Sequence, residues 1–176
     1  MQSIYKQSSS PQKMLLMGRS GAGKTSIHSI LFAKMPVKNT CNIGYSTEVA
    51  QSRIQFIGNL CLDLWDCPGQ DKFMQDYFTT RKEEIFSRVF VMIYLFDITN
   101  VGTEFDNDQK EYLECLQLLH TYSKDAKVSI LLNKLDRVAP QLRTELFNHK
   151  KSVITSISEQ RKKKNIYIMA LYRHLL

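Results

Sequence analysis

The chain has 176 residues, and its 43% hydrophobic share, with 10% aromatics, is enough apolar material for one folded domain. Only 7 Gly and 4 Pro are present, which excludes a collagen-like or low-complexity protein. Lys and Arg outnumber Asp and Glu by 24 to 17, for a net charge of +7, but no nucleic-acid-binding motif accompanies this charge. We therefore expect the basic clusters at 150–151 and 161–164 to be solvated surface, and we expect no nucleic-acid partner.

The cysteines and the N-terminus bear on the cellular compartment. Cys41, Cys61, Cys67 and Cys115 lack the CxxC spacing of zinc or redox sites. Cys61 and Cys115 fall within apolar runs, where a buried free thiol is the ordinary interpretation. Residues 1–12 are polar and carry no signal peptide, so we expect a flexible leader. No segment is apolar for long enough to span a membrane. We expect a cytoplasmic protein without direct membrane insertion.

Short apolar runs then alternate with segments of helical periodicity. The predicted strands are, in order, Lys13–Met17, Val49–Ile57, Asn59–Trp65, Val89–Phe96, Lys127–Leu132 and Asn165–Ala170. The predicted helices are Lys24–Lys34, Phe105–Tyr122 and Pro140–Gln160, with a loop at Asn39–Ser46. The continuously apolar run at 89–96 is typical of a strand buried on both faces of a sheet. The pattern predicts an α/β fold with a mostly parallel sheet, which binds ligands at the carboxyl ends of its strands.

The first predicted strand leads into a phosphate-binding motif, G-x-x-x-x-G-K-[ST], at residues 18–25. Its glycines let backbone amides close around phosphate oxygens, and the next helix directs its positive N-terminus at the same anion. We predict that Lys24 contacts the β- and γ-phosphates as a catalytic residue and that the Thr25 hydroxyl ligates Mg²⁺. The predicted phosphate-binding residues are Arg19, Ser20, Gly21, Ala22, Gly23, Lys24, Thr25 and Ser26.

The third predicted strand leads into a second group of candidate residues. Asp66 follows the phosphate motif by about 40 residues, a placement that suits a carboxylate acting on Mg²⁺. Gly69 can bring its amide against a γ-phosphate, where a side chain would intrude. Gln70 is placed to orient an attacking water and is the second predicted catalytic residue.

The fifth predicted strand ends in the motif N-K-x-D, formed by Asn133, Lys134 and Asp136. The Asp136 carboxylate can accept hydrogen bonds from the ring N–H and the exocyclic amine of guanine. Adenine would leave that carboxylate unpaired, and such mismatches discriminate strongly. Asn133 can bridge the base and the phosphate loop, while the Lys134 stem can cover the purine plane.

These three motifs, in this order, point to a GTP-binding domain, and the chain resembles the Ras-like small GTPases over about residues 13–170. Among these it is similar to Rag-type GTPases of the A/B (Gtr-like) side. The similar segments are Leu15-Leu16-Met17-Gly18, Ser20-Gly21, Lys24-Thr25-Ser26, Phe56-Ile57-Gly58-Asn59-Leu60, Trp65-Asp66-Cys67, Gly69-Gln70-Asp71-Lys72-Phe73, Tyr77-Phe78-Thr79 and Ile85-Phe86.

The resemblance implies a P-loop NTPase fold, the Ras-like G domain, with a six-stranded sheet over residues 13–176. It implies a switch that binds GTP or GDP with Mg²⁺, hydrolyses GTP, and relays amino-acid signals to the TOR kinase complex. The implied partners are a Rag C/D-type GTPase, an activating protein and TOR-pathway effectors, which would recruit the protein to a lysosomal or vacuolar surface. The switch loops would be 39–47 and 69–80.

The resemblance also implies two further site residues. Such GTPases use a loop Thr to ligate Mg²⁺, and an ungapped alignment back from residues 56–58 places Ser46 there, with Thr47 adjacent and Thr40 further away. The last base-contacting loop of the family has no clear counterpart, and Ala170 is the candidate.

Three departures from the family bear on these expectations. Pro68 stands where the A/B side usually has Gly, and it stiffens the turn before Gly69. The family's C-terminal roadblock-like domain is expected to be absent, since the sequence ends at Leu176, and the final helix is expected to be short or incomplete. No arginine in the sequence is an obvious arginine finger, the residue that stabilises the transition state of hydrolysis, supplied by the chain itself. The position of the Arg19 side chain does not follow from sequence. We expect slow hydrolysis, on the order of 10⁻⁴ s⁻¹.

Two alternatives remain open at this level. One is a nucleotide-stabilised binding scaffold with little or no turnover. The other is an ATP-using P-loop enzyme such as a small kinase, which the N-K-x-D motif disfavours.

Overall fold

The fold is built on a six-stranded sheet, seen in a computed structural model that describes residues 12–31, 33–44, 46–55, 61–160 and 166–170. The strands are β1 (Gln12–Met17), β2 (Ala50–Gln55), β3 (Cys61–Asp66), β4 (Val89–Asp97), β5 (Lys127–Asn133) and β6 (Ile166–Ala170). The helices are α1 (Lys24–Leu31), α2 (Asp71–Phe78), α3 (Lys82–Phe86), α4 (Thr103–Tyr122) and α5 (Arg143–Gln160). Short 3₁₀ helices cover Val37–Asn42, Leu135–Arg137 and Pro140–Leu142.

The sheet has the strand order β2-β3-β1-β4-β5-β6. β2 runs antiparallel to β3, and every other neighbouring pair is parallel, which confirms the predicted mostly parallel sheet. The parallel register pairs Leu16 with Asp66 and Asp97 with Asn133. The carboxyl ends of β1, β3, β4 and β5 therefore lie along one edge of the sheet, where ligands bind in folds of this type.

The larger core lies between one face of the sheet and helices α2 to α5. Its centre is aromatic, because Tyr94 and Phe96 are alternate residues of β4 and project to the same side. The Tyr112 ring of α4 lies edge-on to both, with centroids 5.1 Å from Tyr94 and 5.5 Å from Phe96. Such pairs contribute about 0.5–1.5 kcal/mol each beyond the burial of their area. This packing fixes α4 against the middle of the sheet.

A smaller core lies on the opposite face, beneath α1. Ile27 of α1 is buried there against apolar residues of the central strands, which are Leu16, Leu64, Leu95 and Leu131. α1 has only eight residues, so it covers the carboxyl half of this face, next to the phosphate motif. This packing holds the first helix next to the carboxyl ends of the strands, where ligands bind in folds of this type.

Most predicted elements lie where the periodicity places them. β5 extends one residue beyond the predicted strand, and α4 begins two residues earlier than predicted. The predicted hairpin is confirmed by the antiparallel pairing of β2 and β3, while its turn at Gly58 lies outside the described residues. The final helix would fall within 171–176, which also lie outside them. Among the described helices, none is long and apolar enough to cross a membrane.

Several predicted boundaries are wrong. Gln12 belongs to β1 and not to the leader. The segment 39–46, predicted as a loop, overlaps the 3₁₀ helix Val37–Asn42, which follows Pro36 as its N-cap. α1 ends at Leu31 and not at Lys34, which adopts a positive φ of 53° that continues no helix.

The sequence pattern does not predict α2 or α3. The segment 69–80, which was expected to be a loop, contains α2. α2 has eight residues, of which only Met74 and Tyr77 are buried, and α3 has five. Helices this short span too few turns to show a clear helical period.

β4 is not buried on both faces along its whole length, contrary to expectation. Phe90 is 41% exposed, and Val91 and Ile93 are half-buried, whereas residues 94–97 are buried. Val91 and Ile93 lie on the opposite face from Tyr94 and Phe96, where Ile93 packs against the smaller core but is covered only in part.

Lys150 also differs from the expectation of a solvated basic surface, because it is only 2% exposed. Its ammonium lies 4.1 Å from the centroid of the Phe105 ring and donates to the Asn100 carbonyl oxygen. Burial lowers the pKa of Lys150, against the opposing effect of Asp108 and Asp97. Lys151, the next residue, is exposed. The α5 helix is thus attached to the loop after β4 through a buried charge.

We expect Lys150→Met to lower the free energy of unfolding by about 1–3 kcal/mol, because it keeps the apolar stem but leaves the Asn100 carbonyl without its donor. Lys151→Met is the matched control and should change stability by less than about 0.5 kcal/mol. Urea denaturation of both variants measures the difference. Equal stability of the two variants would contradict the structural role of the buried ammonium.

Candidate nucleotide-binding site

The phosphate motif forms the turn between β1 and α1, and its backbone requires glycine at two crowded positions. Gly18 has a φ of 134° and Gly23 a φ of 100°, a region that L side chains rarely adopt. A Cβ at Gly18 would overlap the Leu95 carbonyl, and one at Gly23 would overlap the Asn133 side chain. The loop is therefore packed directly against the ends of β4 and β5, and this close approach sets its shape.

Lys24 lies inside the curve of this loop and is only 6% exposed. Its ammonium donates to the carbonyl oxygens of Gly18 (2.7 Å) and Arg19 (3.0 Å). Burial lowers the pKa of Lys24 to about 8, although the nearby Asp66 carboxylate opposes the shift. The side chain is thus a buried cation at the centre of a loop whose pattern is typical of phosphate binding.

Three oxygen-bearing side chains meet beside Lys24. The Thr25 and Ser46 hydroxyl oxygens lie 2.7 Å apart, which joins the start of α1 to the segment before β2. Asp66 is 1% exposed, and neither of its carboxylate oxygens has a hydrogen-bond partner in the described part of the chain. Burial raises the pKa of Asp66, with Lys24, His28 and the nearby Thr25 hydroxyl acting in the opposite direction. A buried carboxylate with unused oxygens, beside two hydroxyls, is a donor set that fits Mg²⁺.

The alternative hydroxyls predicted for the metal site are placed differently. Thr47 is exposed, and Thr40 is 8% exposed in the 3₁₀ helix Val37–Asn42. The contact with Thr25 is made by Ser46. Ser46 is therefore the candidate that the tertiary structure places with Thr25.

Gly69 and Gln70 lie against the phosphate loop. The Ser20 N–H donates to the Gly69 carbonyl oxygen at 2.8 Å, and a Cβ at Gly69 would overlap Gly18 and the Lys24 ammonium. The Gln70 side-chain amide donates to the Ser46 carbonyl oxygen (2.9 Å), while its own Oε1 is buried with no partner among the described residues. The cavity at this point is also lined by Ser26 and Pro68. Gln70 thus joins the two segments predicted to be switch loops.

Arg19 turns away from Lys24, a position that the sequence does not predict. Its guanidinium contacts Glu111 of α4 (2.5 Å) and Asp71 of α2 (3.0 Å). Burial raises the pKa of Glu111 to about 7, although Arg19 opposes that shift. The Arg19 side chain therefore connects the phosphate loop to two helices, while its backbone stays within the loop.

The N-K-x-D residues lie at the other end of the site. The Asn133 side-chain amide donates to the Ala22 carbonyl oxygen at 2.7 Å, which connects this motif to the phosphate loop. Lys134 has a left-handed backbone, with φ 65°, and its ammonium contacts Asp97 at 2.6 Å. Asp136 follows in the 3₁₀ helix Leu135–Arg137 with a half-buried side chain.

The remaining base-site candidate, Ala170, is the last residue of β6 and lies in register with Leu132 of β5. It therefore lies one residue short of the level of Asn133. It lies at the carboxyl end of β6, beside the strand that leads into the N-K-x-D motif, and it has no side chain that could donate to a base.

Two residues that the sequence reasoning missed hold this motif in place. Asp97 ends β4 and contacts Lys134, while Arg143 donates to the carbonyl oxygens of Val138 (2.9 Å) and Asp136 (3.3 Å). Asp97 could have been found by the argument used for Asp66, because both are carboxylates at the carboxyl end of an apolar strand. No sequence pattern around Arg143 predicts its role, because it donates to backbone carbonyl oxygens, which every residue has.

Comparison with known proteins agrees with this geometry. A family described as the Gtr1/RagA G protein conserved region matches residues 13–176. Ras-related GTP-binding protein A of Dictyostelium discoideum is 43% identical over 147 residues, which are 84% of this chain and 48% of that protein. GTP-binding protein GTR1 of Saccharomyces cerevisiae is 44% identical over 140 residues, which are 80% of this chain and 44% of that protein. The chain thus spans about half the length of these relatives.

A solved structure shows the fold independently of close sequence similarity. The bacterial selenocysteine-specific elongation factor EF-Sec superposes with a TM-score of 0.64 at 17% identity, over 94% of this chain and 26% of that one. This likeness supports the α/β fold and nothing finer. The match over residues 13–176 shows that the chain belongs to the Gtr1/RagA family of G proteins.

Proposed function

We propose that the protein is a guanine-nucleotide-binding molecular switch, which binds GTP or GDP with Mg²⁺ and slowly hydrolyses GTP. The observation that carries this proposal is the 2.7 Å contact between the Thr25 and Ser46 hydroxyls, beside the unpartnered Asp66 carboxylate. The phosphate motif and a distant segment of the chain meet there in an arrangement that suits a hydrated divalent cation. Membership of a G-protein family supports the same conclusion.

The phosphates would be held by the Lys24 ammonium and by backbone amides of residues 19–26, among which the Ser20 N–H would first have to leave the Gly69 carbonyl oxygen. Lys24 at present donates to two carbonyl oxygens of its own loop, so it needs only to exchange these for phosphate oxygens. Because carbonyl oxygens already hold the Lys24 ammonium inside the loop, the side chain needs to move little when the nucleotide binds. The amide of Gly69, which is pressed against the loop, would complete the enclosure on the γ side.

The residues that would hold Mg²⁺ are Thr25, Ser46 and Asp66. When bound, the cation would neutralise charge on the β- and γ-phosphate oxygens. Thr25 lies at the start of a helix and Asp66 ends a strand, whereas Ser46 lies in a predicted switch loop. We therefore expect Ser46 to move when the γ-phosphate is lost. The segment at 39–47 would then be released from Thr25, which is the change expected of a switch.

For hydrolysis, Gln70 would orient the attacking water. Its amide nitrogen is occupied by the Ser46 carbonyl, which leaves Oε1 available to accept a hydrogen bond from that water. Arg19, the arginine of the phosphate loop, is engaged by Asp71 and Glu111 and does not serve as a finger in cis. We therefore expect slow intrinsic hydrolysis, about 10⁻⁴ s⁻¹, that an activating protein accelerates.

Guanine would be selected by Asp136, which accepts two hydrogen bonds from that base and none from adenine. Asn133 would couple this recognition to the phosphate loop through the Ala22 carbonyl. The Lys134 stem would cover one face of the purine, with Ala170 at the neighbouring strand end. An ATP-using enzyme is disfavoured because the same carboxylate would be left without a partner.

In the cell, we propose a role in amino-acid signalling to the TOR kinase complex, together with a Rag C/D-type partner, an activating protein and TOR-pathway effectors. Support comes from the identity to Ras-related GTP-binding protein A and to GTR1. A cytoplasmic protein recruited by such partners to a lysosomal or vacuolar surface would need no membrane span of its own.

The experiment that tests the proposal is to denature the purified protein and identify the released nucleotide by ion-exchange chromatography. We expect GDP or GTP at about one per chain, because a buried phosphate loop and a guanine-selective carboxylate favour tight binding. A protein that is released empty and does not bind added GTP with Mg²⁺ would contradict it. Binding without turnover in a multiple-turnover assay would instead favour a nucleotide-stabilised scaffold.

Gln70→Leu should slow single-turnover GTP hydrolysis at least about tenfold and abolish its stimulation by a cell extract, while GTP affinity changes little. The leucine cannot orient a water, while the residues predicted to bind the phosphates are themselves unchanged. Gln75→Leu, on the exposed side of α2, is the matched control and should leave hydrolysis unchanged. Unchanged stimulated hydrolysis in Gln70→Leu would rule out the assigned role.

The affinity for GDP should fall about tenfold between pH 7 and pH 9, as titration calorimetry can measure. The pKa of Lys24 is about 8, so the ammonium is mostly protonated at the lower pH and mostly neutral at the higher one. Lys24→Arg keeps its charge over this range and should flatten the profile, whatever its absolute affinity. An equally steep profile in that variant would assign the pH dependence to another group.

A further inference from the structure

The backbone of Lys134 is held in a conformation that needs support. Its φ of 65° and ψ of 28° lie in the left-handed region, although it is not a glycine. Residues with a Cβ rarely adopt this conformation because it is strained, so neighbouring contacts must stabilise it. The strain falls between Asn133 and Asp136, the two residues proposed to select the base.

Asp97 supplies such a contact from the neighbouring strand. It is 8% exposed, and its Oδ2 accepts a hydrogen bond from the Lys134 ammonium at 2.6 Å. Its Oδ1 accepts two hydrogen bonds from Thr99, one from the N–H at 3.0 Å and one from the hydroxyl at 2.6 Å. The carboxylate is therefore bound on both sides, between the loop after β4 and the base-site motif.

The charge of Asp97 is maintained despite burial. Burial alone would raise the pKa of this carboxyl, but the hydrogen bonds from Lys134 and Thr99 outweigh it and leave the pKa below its usual value. A hydrogen bond between charged groups contributes more than a neutral pair in the same place. The contact therefore acts against the backbone strain at Lys134.

The backbone strengthens this connection. Asp97 is paired with Asn133 in the β4–β5 register, and the Ile98 N–H donates to the Asn133 carbonyl oxygen at 3.0 Å. Asn133 in turn donates to Ala22 of the phosphate loop. A displacement of the Lys134 ammonium would therefore change the geometry of residues on both sides of the base site.

We infer that Asp97 is a positioning residue of the base site, which holds the Lys134 ammonium at the sheet edge so that the lysine stem lies over the purine and slows guanine-nucleotide release. The inference rests on the proposed function, since it assigns a role in nucleotide retention. Asp97 touches no atom of the nucleotide under this proposal and acts through Lys134. Its closest alternative is a structural ion pair with no effect on release.

A double-mutant cycle separates the two possibilities. The measured quantity is the rate of GDP dissociation from Asp97→Asn, Lys134→Met and the variant that carries both changes, followed with a fluorescent GDP analogue. Asparagine keeps the size of Asp97 but loses its charge and one of the two acceptor positions in use. Methionine keeps an unbranched apolar stem over the purine but removes the ammonium.

We expect each single variant to release GDP about tenfold faster, and the double variant to be no faster than the faster single variant. Thr99→Val removes one donor to Asp97 but leaves the contact with Lys134, and as the matched control it should change release less than about threefold. Thermal unfolding of the nucleotide-loaded variants reports whether each is folded at the assay temperature.

Additive effects in the double variant, or an unchanged release rate in a folded Asp97→Asn, would overturn the inference. The first result would show that Asp97 acts by another route, and the second that its contact with Lys134 is structural. Both leave GDP binding by the wild-type protein intact, so they do not touch the proposed function. A wild-type protein that binds neither GDP nor GTP would overturn both proposals together.

Discussion

The hydrogen bond from Asn133 to the Ala22 carbonyl is the contact on which the arrangement of the site depends. It joins the end of β5 to the turn between β1 and α1, two segments separated by 111 residues in the chain. Gly23 lies so close to the same asparagine that a side chain there would overlap it. The phosphate end and the proposed base end of the site therefore share one junction, and neither can move without displacing the other.

The electrostatics of the site follow from its burial at this edge of the sheet. Lys24 and Asp66 are both almost completely buried, and burial shifts the pKa of each towards its neutral form. Each charge opposes the shift of the other, and the Asp66 oxygens still have no hydrogen-bond partner among the described residues. Buried charges are normally paired or bound to a cation, so an incomplete balance of this kind indicates a site built for further charged groups.

The ion pairs around the site connect it to the surrounding helices in two directions. Arg19 extends from the phosphate loop to α2 and α4, and Asp97 extends from β4 to the base-site motif. Gln70, at the start of α2, meets the segment before β2 through the Ser46 carbonyl. Under the proposed function, a change at the γ-phosphate would be transmitted along these contacts between secondary-structure elements.

The sequence alone determined the alternation of strands and helices, the mostly parallel sheet and the three motifs, because each depends on residues near one another in the chain. It determined neither the helices α2 and α3, which are too short to show a helical period, nor the burial of Lys150, which arises from contacts with Phe105 and Asn100, distant in the chain. The resemblance already placed Ser46 ahead of Thr40 and Thr47, but the contact of Ser46 with Thr25, the direction of the Arg19 side chain and the contact of Asp97 with Lys134 were decided by tertiary structure only. Their partners lie between 21 and 92 residues away, and no local pattern encodes a distance through space.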